Sequence, residues 1–167
     1  MSLSVLCFIL FALPFIAVAQ TPFSQDSAVA FLKTISVEIG PRPMGSPNER
    51  RAMEFAVERF RRFGLQEAYI MPMMSVEGDA LAGSTNTNSG IAVGVLKGTS
   101  DRIIVIGGHI DSAGPDIPGA NDDGSGSATV IELARVLSQR KNESTLVFCL
   151  FGGEESGLRG SKHFVNQ

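Results

Sequence analysis

Residues 103–155 read IIVIGGHIDSAGPDIPGANDDGSGSATVIELARVLSQRKNESTLVFCLFGGEE, and this stretch decides the fold. The run Ile103-Ile104-Val105-Ile106 is apolar without alternation. That is the pattern of a strand buried on both faces of a mainly parallel sheet. Leu146 to Phe151 is a second such run. Between them Val130, Ile131, Ala134 and Leu137 recur at helical spacing, which predicts a helix over residues 126–139. Strand, helix, strand in this order is a βαβ unit. The expected class is therefore α/β, a mainly parallel sheet flanked by helices.

Working upstream, the spacing predicts strands over 91–96 and 66–74, with the turn Lys97-Gly98-Thr99-Ser100 after the first. Ser46 and Glu49 form a capping-box pattern with Pro47 at the first helical position. The helix they open carries Met53, Val57, Phe60 and Phe63 on one face, and Gly64 closes it. Its other face holds Arg50, Arg51, Glu54, Glu58, Arg61 and Arg62, a solvated surface with i,i+4 support such as Glu58–Arg62. Asp26 is the expected cap of an earlier helix reaching Ile39, where Gly40-Pro41 stops it. Met71, Met73 and Met74 read as gap-fillers, and Cys149 as a small core residue.

The chain has 167 residues with 14 basic and 17 acidic side chains, a net charge of −3. That length suits one domain. The charge gives no basic footprint, and with no Trp and one Tyr there is little to stack on bases, so nucleic acid is excluded as a partner. Two cysteines make no disulfide framework. Residues 3–19, LSVLCFILFALPFIAVA, are uncharged and end in a small-x-small step. They read as a signal peptide, residues 1–19, cut after Ala19 and leaving residues 20–167. An uncleaved anchor is the alternative, because no Lys or Arg precedes the run. The expected location is secreted or periplasmic, with no stable membrane association after cleavage.

Three polar clusters stand at the carboxyl ends of the buried runs: Gly108-His109-Ile110-Asp111, Gly119-Ala120-Asn121-Asp122-Asp123-Gly124 and Gly152-Gly153-Glu154-Glu155. In an open α/β sheet sites form beyond those ends. One imidazole with several carboxylates suits zinc or a similar divalent ion. Asp111, two residues from His109, is placed either to share its face or to orient its ring. Adjacent Glu154 and Glu155 suit a division of labour between metal ligand and general base. Each cluster alone is ordinary turn or surface chemistry. Three on one βαβ unit favour a site. Residues 121–132 imitate a calcium loop, but Gly114, Pro115, Pro118 and Gly119 occupy the place of its incoming helix. No Gly-Lys-Ser/Thr follows these glycines, so a phosphate loop is excluded.

GGHIDS, PGANDDGSGSATVIELARVL and FGGEESGLRGS resemble the di-zinc exopeptidase family that includes bacterial leucyl aminopeptidase and glutamate carboxypeptidase II. The upstream GPRPMGSPNERRAMEFAVERFRRFGL is similar to the start of that catalytic domain. The resemblance covers residues 26–167 and implies a zinc exopeptidase-like, phosphorylase/hydrolase-like sandwich. It implies zinc, with two ions in the full-length enzyme. His109 would bind one ion, Asp122 would bridge both, and Glu155 would bind the second. Asp111 would partner His109, and Glu154 would be the general base. Peptide or protein N-termini would be the substrate. The family uses two further ligands, an Asp and a His, downstream of the Glu-Glu pair. His163 matches neither and reads as a surface residue. Residues 20–167 are thus expected to be the N-terminal part of the catalytic domain, truncated at the C-terminus. The 167 residues alone are expected to bind zinc weakly and be inactive. A glutaminyl cyclase with one zinc and a non-catalytic binding module of the same fold are the alternatives.

Overall fold

The structure, a computed structural model, describes residues 22–73 and 89–167. The signal segment 1–19, and Met74 with it, lie outside the described residues. Among the described residues the α-helices are α1 (Gln25–Lys33), α2 (Pro47–Arg62), α3 (Ser125–Leu137) and α4 (Arg159–Val165). Among the described residues one sheet is formed by β1 (Glu67–Pro72), β2 (Gly90–Leu96), β3 (Ile103–His109) and β4 (Thr145–Phe151). Their spatial order is β1-β2-β4-β3.

Helix α2 starts as its sequence dictates. Ser46 Oγ accepts the Glu49 amide at 3.1 Å and Pro47 leads the first turn. The return arm of the box is different: the Glu49 carboxylate accepts the Gly45 amide at 2.6 Å. Helix α1 is capped by Ser24, whose hydroxyl accepts the Ser27 amide, and not by Asp26. It passes into a π-helical turn, Thr34–Ile39, before Gly40 ends it. Buried Glu132 ties this region to α3, accepting the Ser24 amide at 2.7 Å and pairing with Arg135. The Glu58–Arg62 and Arg50–Glu54 pairs form on the solvated face of α2. Such exposed pairs contribute about 0.3–0.5 kcal/mol each.

The two faces of the sheet explain why β2 and β4 lack alternation. Ala92, Leu96, Leu146, Phe148 and Leu150 point into the larger core under α2 and α3. Ile91, Val93 and Cys149 point the other way, where Phe164 of α4 packs on Phe151. Full burial of a side chain such as Phe148 contributes about 1.5–3 kcal/mol, and both faces of β4 draw on this. Burial also pushes the Cys149 thiol up to about 12, so the residue is inert core, as its apolar setting implied.

The α/β architecture is as expected, and β3–α3–β4 is the anticipated parallel βαβ unit. The sheet is mixed and not mainly parallel, because β1–β2 and β2–β4 are antiparallel. Apolar runs encode burial, not strand direction, so this difference was invisible in the pattern. β3 also departs from expectation. Among the described residues it pairs with β4 alone, and Ile103, Ile104 and Val105 are 66%, 49% and 49% exposed. Among the described residues no helix is long and apolar enough to cross a membrane.

Candidate metal centre

The parallel pairing of β3 with β4 sets His109 directly beside Phe151. The Ile110 amide donates to the Phe151 carbonyl at 2.8 Å, extending the ladder by one step. Both strands therefore deliver their next residues to one place. Asp111, fully buried, accepts the Glu154 amide at 3.0 Å on Oδ1 and the Glu155 amide at 3.2 Å on Oδ2. Its carboxylate thus fixes the turn carrying both glutamates. The same Oδ1 lies 3.5 Å from His109 Nδ1, and the Asp111 carbonyl lies 3.2 Å from it.

The third cluster arrives on the loop that opens α3. Asp122 and Asp123 adopt non-helical backbone angles there, and the peptide between them is cis. Asp122 Oδ1 is 3.0 Å from His109 Nε2. Asp123 turns inward, accepting the His109 amide on Oδ2 and the Gly126 amide on Oδ1, both at 3.0 Å. Adjacent aspartates therefore divide, one facing the imidazole and one capping α3 against the end of β3. Ser127 Oγ completes the junction by donating to the His109 carbonyl at 2.6 Å.

One ligand atom from each of His109, Asp122 and Glu155 lies within 4.8 Å of the others. Glu154 Oε2 is 3.8 Å from His109 Nε2. The five residues singled out from the sequence are thus in one place. His163 is not among them: it is half-buried on α4 and belongs to no such group among the described residues. An imidazole and two carboxylates in this spacing fit zinc. Beside them lies a cavity of about 430 Å³, with Val105, Phe151 and Leu158 on its apolar wall and His109, Asp123 and Glu154 at its polar end.

The electrostatics match a site built for a cation. His109 is raised to about 9, first by its hydrogen bond to Asp111 and then, against burial, by the Asp111 charge, the hydrogen bond to Asp122 and the Asp123 charge. Glu155 is raised by desolvation and by the neighbouring carboxylates Asp122, Asp111 and Glu154. A bound cation relieves that repulsion and replaces the imidazolium proton.

Residues 92–167, which include all three clusters, match Peptidase family M28. Over 85 residues the chain is 40% identical to the aminopeptidase YwaD of Bacillus subtilis, covering 49% of this chain and 18% of the relative. A probable zinc metalloprotease of Pyricularia oryzae is 46% identical over 78 residues, 41% of this chain and 16% of that one. The fold is similar to a Bacillus subtilis zinc aminopeptidase with a TM-score of 0.73 at 18% identity, over 87% of this chain and 66% of that chain. The Legionella pneumophila LapA aminopeptidase gives 0.71 at 24%, over 86% and 38%. The chain spans under a fifth of the length of these two curated relatives.

Three residues escaped the sequence analysis. Asp123 was named only within its cluster, with no role of its own. Arg42 and Glu49 are both completely buried, yet neither was singled out for the site. Their signal was weak: a charged residue within Gly40–Pro47 or a helical first turn reads as ordinary loop or cap chemistry.

Proposed function

We propose that the protein bearing this chain is a secreted zinc exopeptidase, an aminopeptidase hydrolysing N-terminal peptide bonds. The observation that carries the reading is the convergence of His109, Asp122 and Glu155 within 4.8 Å, with Glu154 against them. His109 would hold one ion, Glu155 a second, and Asp122 would bridge. Zinc bound there supplies Lewis acidity to a peptide carbonyl and to water. Glu154, held by its amide to Asp111, takes the proton of the attacking water and passes it to the leaving amine. Asp111 orients the His109 ring and the Glu154-Glu155 turn together.

These residues offer two protein ligands to each ion, whereas a catalytic zinc commonly has three. The reading therefore assigns the remaining ligands to residues outside those described, and assigns weak zinc binding and no turnover to the 167 residues alone. Export is inferred from the uncharged run 3–19, and N-terminal sequencing of the mature protein is expected to start at Gln20. Glu154→Gln in the full-length protein tests the mechanism. Turnover of an aminoacyl substrate is expected to fall by two orders of magnitude or more, about the contribution of a general base, with zinc content unchanged. Full activity in Glu154→Gln would refute the assignment. One zinc per chain with cyclisation of an N-terminal Gln would transfer the reading to glutaminyl cyclisation.

A further inference from the structure

Arg42 is the largest fully buried side chain described, and its guanidinium is spent on backbone carbonyls. Nε donates to the Ile110 carbonyl at 2.5 Å, Nη1 to the Pro118 carbonyl, and Nη2 to the Gly119 carbonyl at 2.8 Å. Its own amide donates to Ser112 Oγ at 3.0 Å, and its carbonyl accepts the Ser112 amide at 3.2 Å. Both ends of the irregular stretch 110–119 are therefore fastened to one side chain. Ile110 immediately precedes Asp111. Gly119, in the left-handed region at φ 54°, accepts the Gly124 amide and so closes the turn that carries Asp122 and Asp123.

Burying a cation is costly, and packing alone would be served by an apolar residue. What an apolar residue lacks is the planar fork of five donors, which fixes several carbonyls at set angles. Burial lowers the Arg42 pKa, and the charges of Asp111 and Asp123 offset only part of that desolvation. We infer that Arg42 is a positioning residue, clamping the Pro118–Gly119 loop to the end of β3 so that Asp122 stands against His109 Nε2 and Asp111 against Nδ1. The consequence for metal rests on the reading of His109, Asp122 and Glu155 as ligands. The clamp itself does not.

Arg42→Lys keeps the charge and removes the fork. Amide hydrogen exchange is measured on the metal-free 167-residue chain, and cobalt binding is followed by its visible absorption. In a folded Arg42→Lys, the amides of Ser112, Ile117 and Gly124 are expected to exchange about tenfold faster or more, with the β4 amides unchanged. Cobalt affinity is expected to fall about 10- to 100-fold with an altered spectrum. A merely structural role would accelerate exchange uniformly, in step with lost stability. That outcome, unchanged exchange, or a loosened loop with wild-type cobalt affinity overturns the inference. Should Arg42→Lys not fold, Ser112→Ala, which removes one anchor of the same clamp, is judged by the same local exchange. If the wild-type chain takes up no cobalt, the ligand reading fails, and the exchange pattern alone decides the clamp.

Discussion

Glu49→Gln tests whether the buried carboxyl under the site is an acid or a carboxylate. Glu49 is completely buried, with Gly45, Ser89 and Gly153 around it. Burial lifts it from its ordinary 4.5 to about 8, outweighing those hydrogen bonds. The folded protein thus keeps the proton up to about pH 8, while the unfolded chain releases it near 4.5. Folding takes up a proton between those values. The stability Glu49 contributes is therefore greatest below 4.5, declines as pH rises to 8, and is flat above. Linkage with these two values gives a decline on the order of 2–3 kcal/mol between pH 5 and pH 7. Gln mimics the neutral acid at every pH. The variant is expected to match wild type near pH 5 and to gain about 5–10 °C in melting temperature relative to it by pH 7. His109 titrates in the same range, but it is common to both proteins and cancels in the difference. The assay is thermal unfolding by circular dichroism at half-unit pH steps. A wild-type-minus-variant difference that stays constant from pH 5 to pH 8 would refute the argument.

His109 holds its proton up to about pH 9 in the metal-free protein, so an incoming ion must displace it. Below that pH, apparent zinc affinity is expected to rise by up to about tenfold per pH unit with close to one proton released. Calorimetry in buffers of different ionisation enthalpy measures the proton, and heats independent of buffer would contradict the assignment. The exposed apolar edge of β3 is a template for strand pairing. Ile104→Lys is expected to lower self-association of the 167-residue chain, followed by light scattering after size exclusion, and unchanged association would count against the edge as its cause.

Local signals were legible and non-local ones were not. Ser46, Pro47 and Gly64 bracket α2 in the sequence much as they do in the structure, because a cap is satisfied within four residues. The βαβ unit was legible because its burial pattern and its connection are both local. Strand direction was not, since β2 and β4 carry the same apolar run whichever way they pair. The exposure of β3 was equally hidden, because its neighbours are set by topology and not by its own residues. At the site, His109, Asp111, Asp122, Glu154 and Glu155 were visible as polar groups at strand ends. Arg42 was invisible because the loop partners of its guanidinium, Ile110, Pro118 and Gly119, lie 68 to 77 residues away and are carbonyls, which carry no side-chain identity. Choosing Asp122 over Asp123 came from family resemblance, and the geometry supplies the physical difference: Asp123 is occupied by two amides.

Cobalt titration of the 167-residue chain and its single variants tests the central claim most directly. The account predicts weak, saturable binding that is abolished or strongly reduced in His109→Asn, Asp122→Asn and Glu155→Gln and kept in Glu154→Gln. Binding that survives Asp122→Asn and Glu155→Gln, or that is lost only in Glu154→Gln, would contradict it.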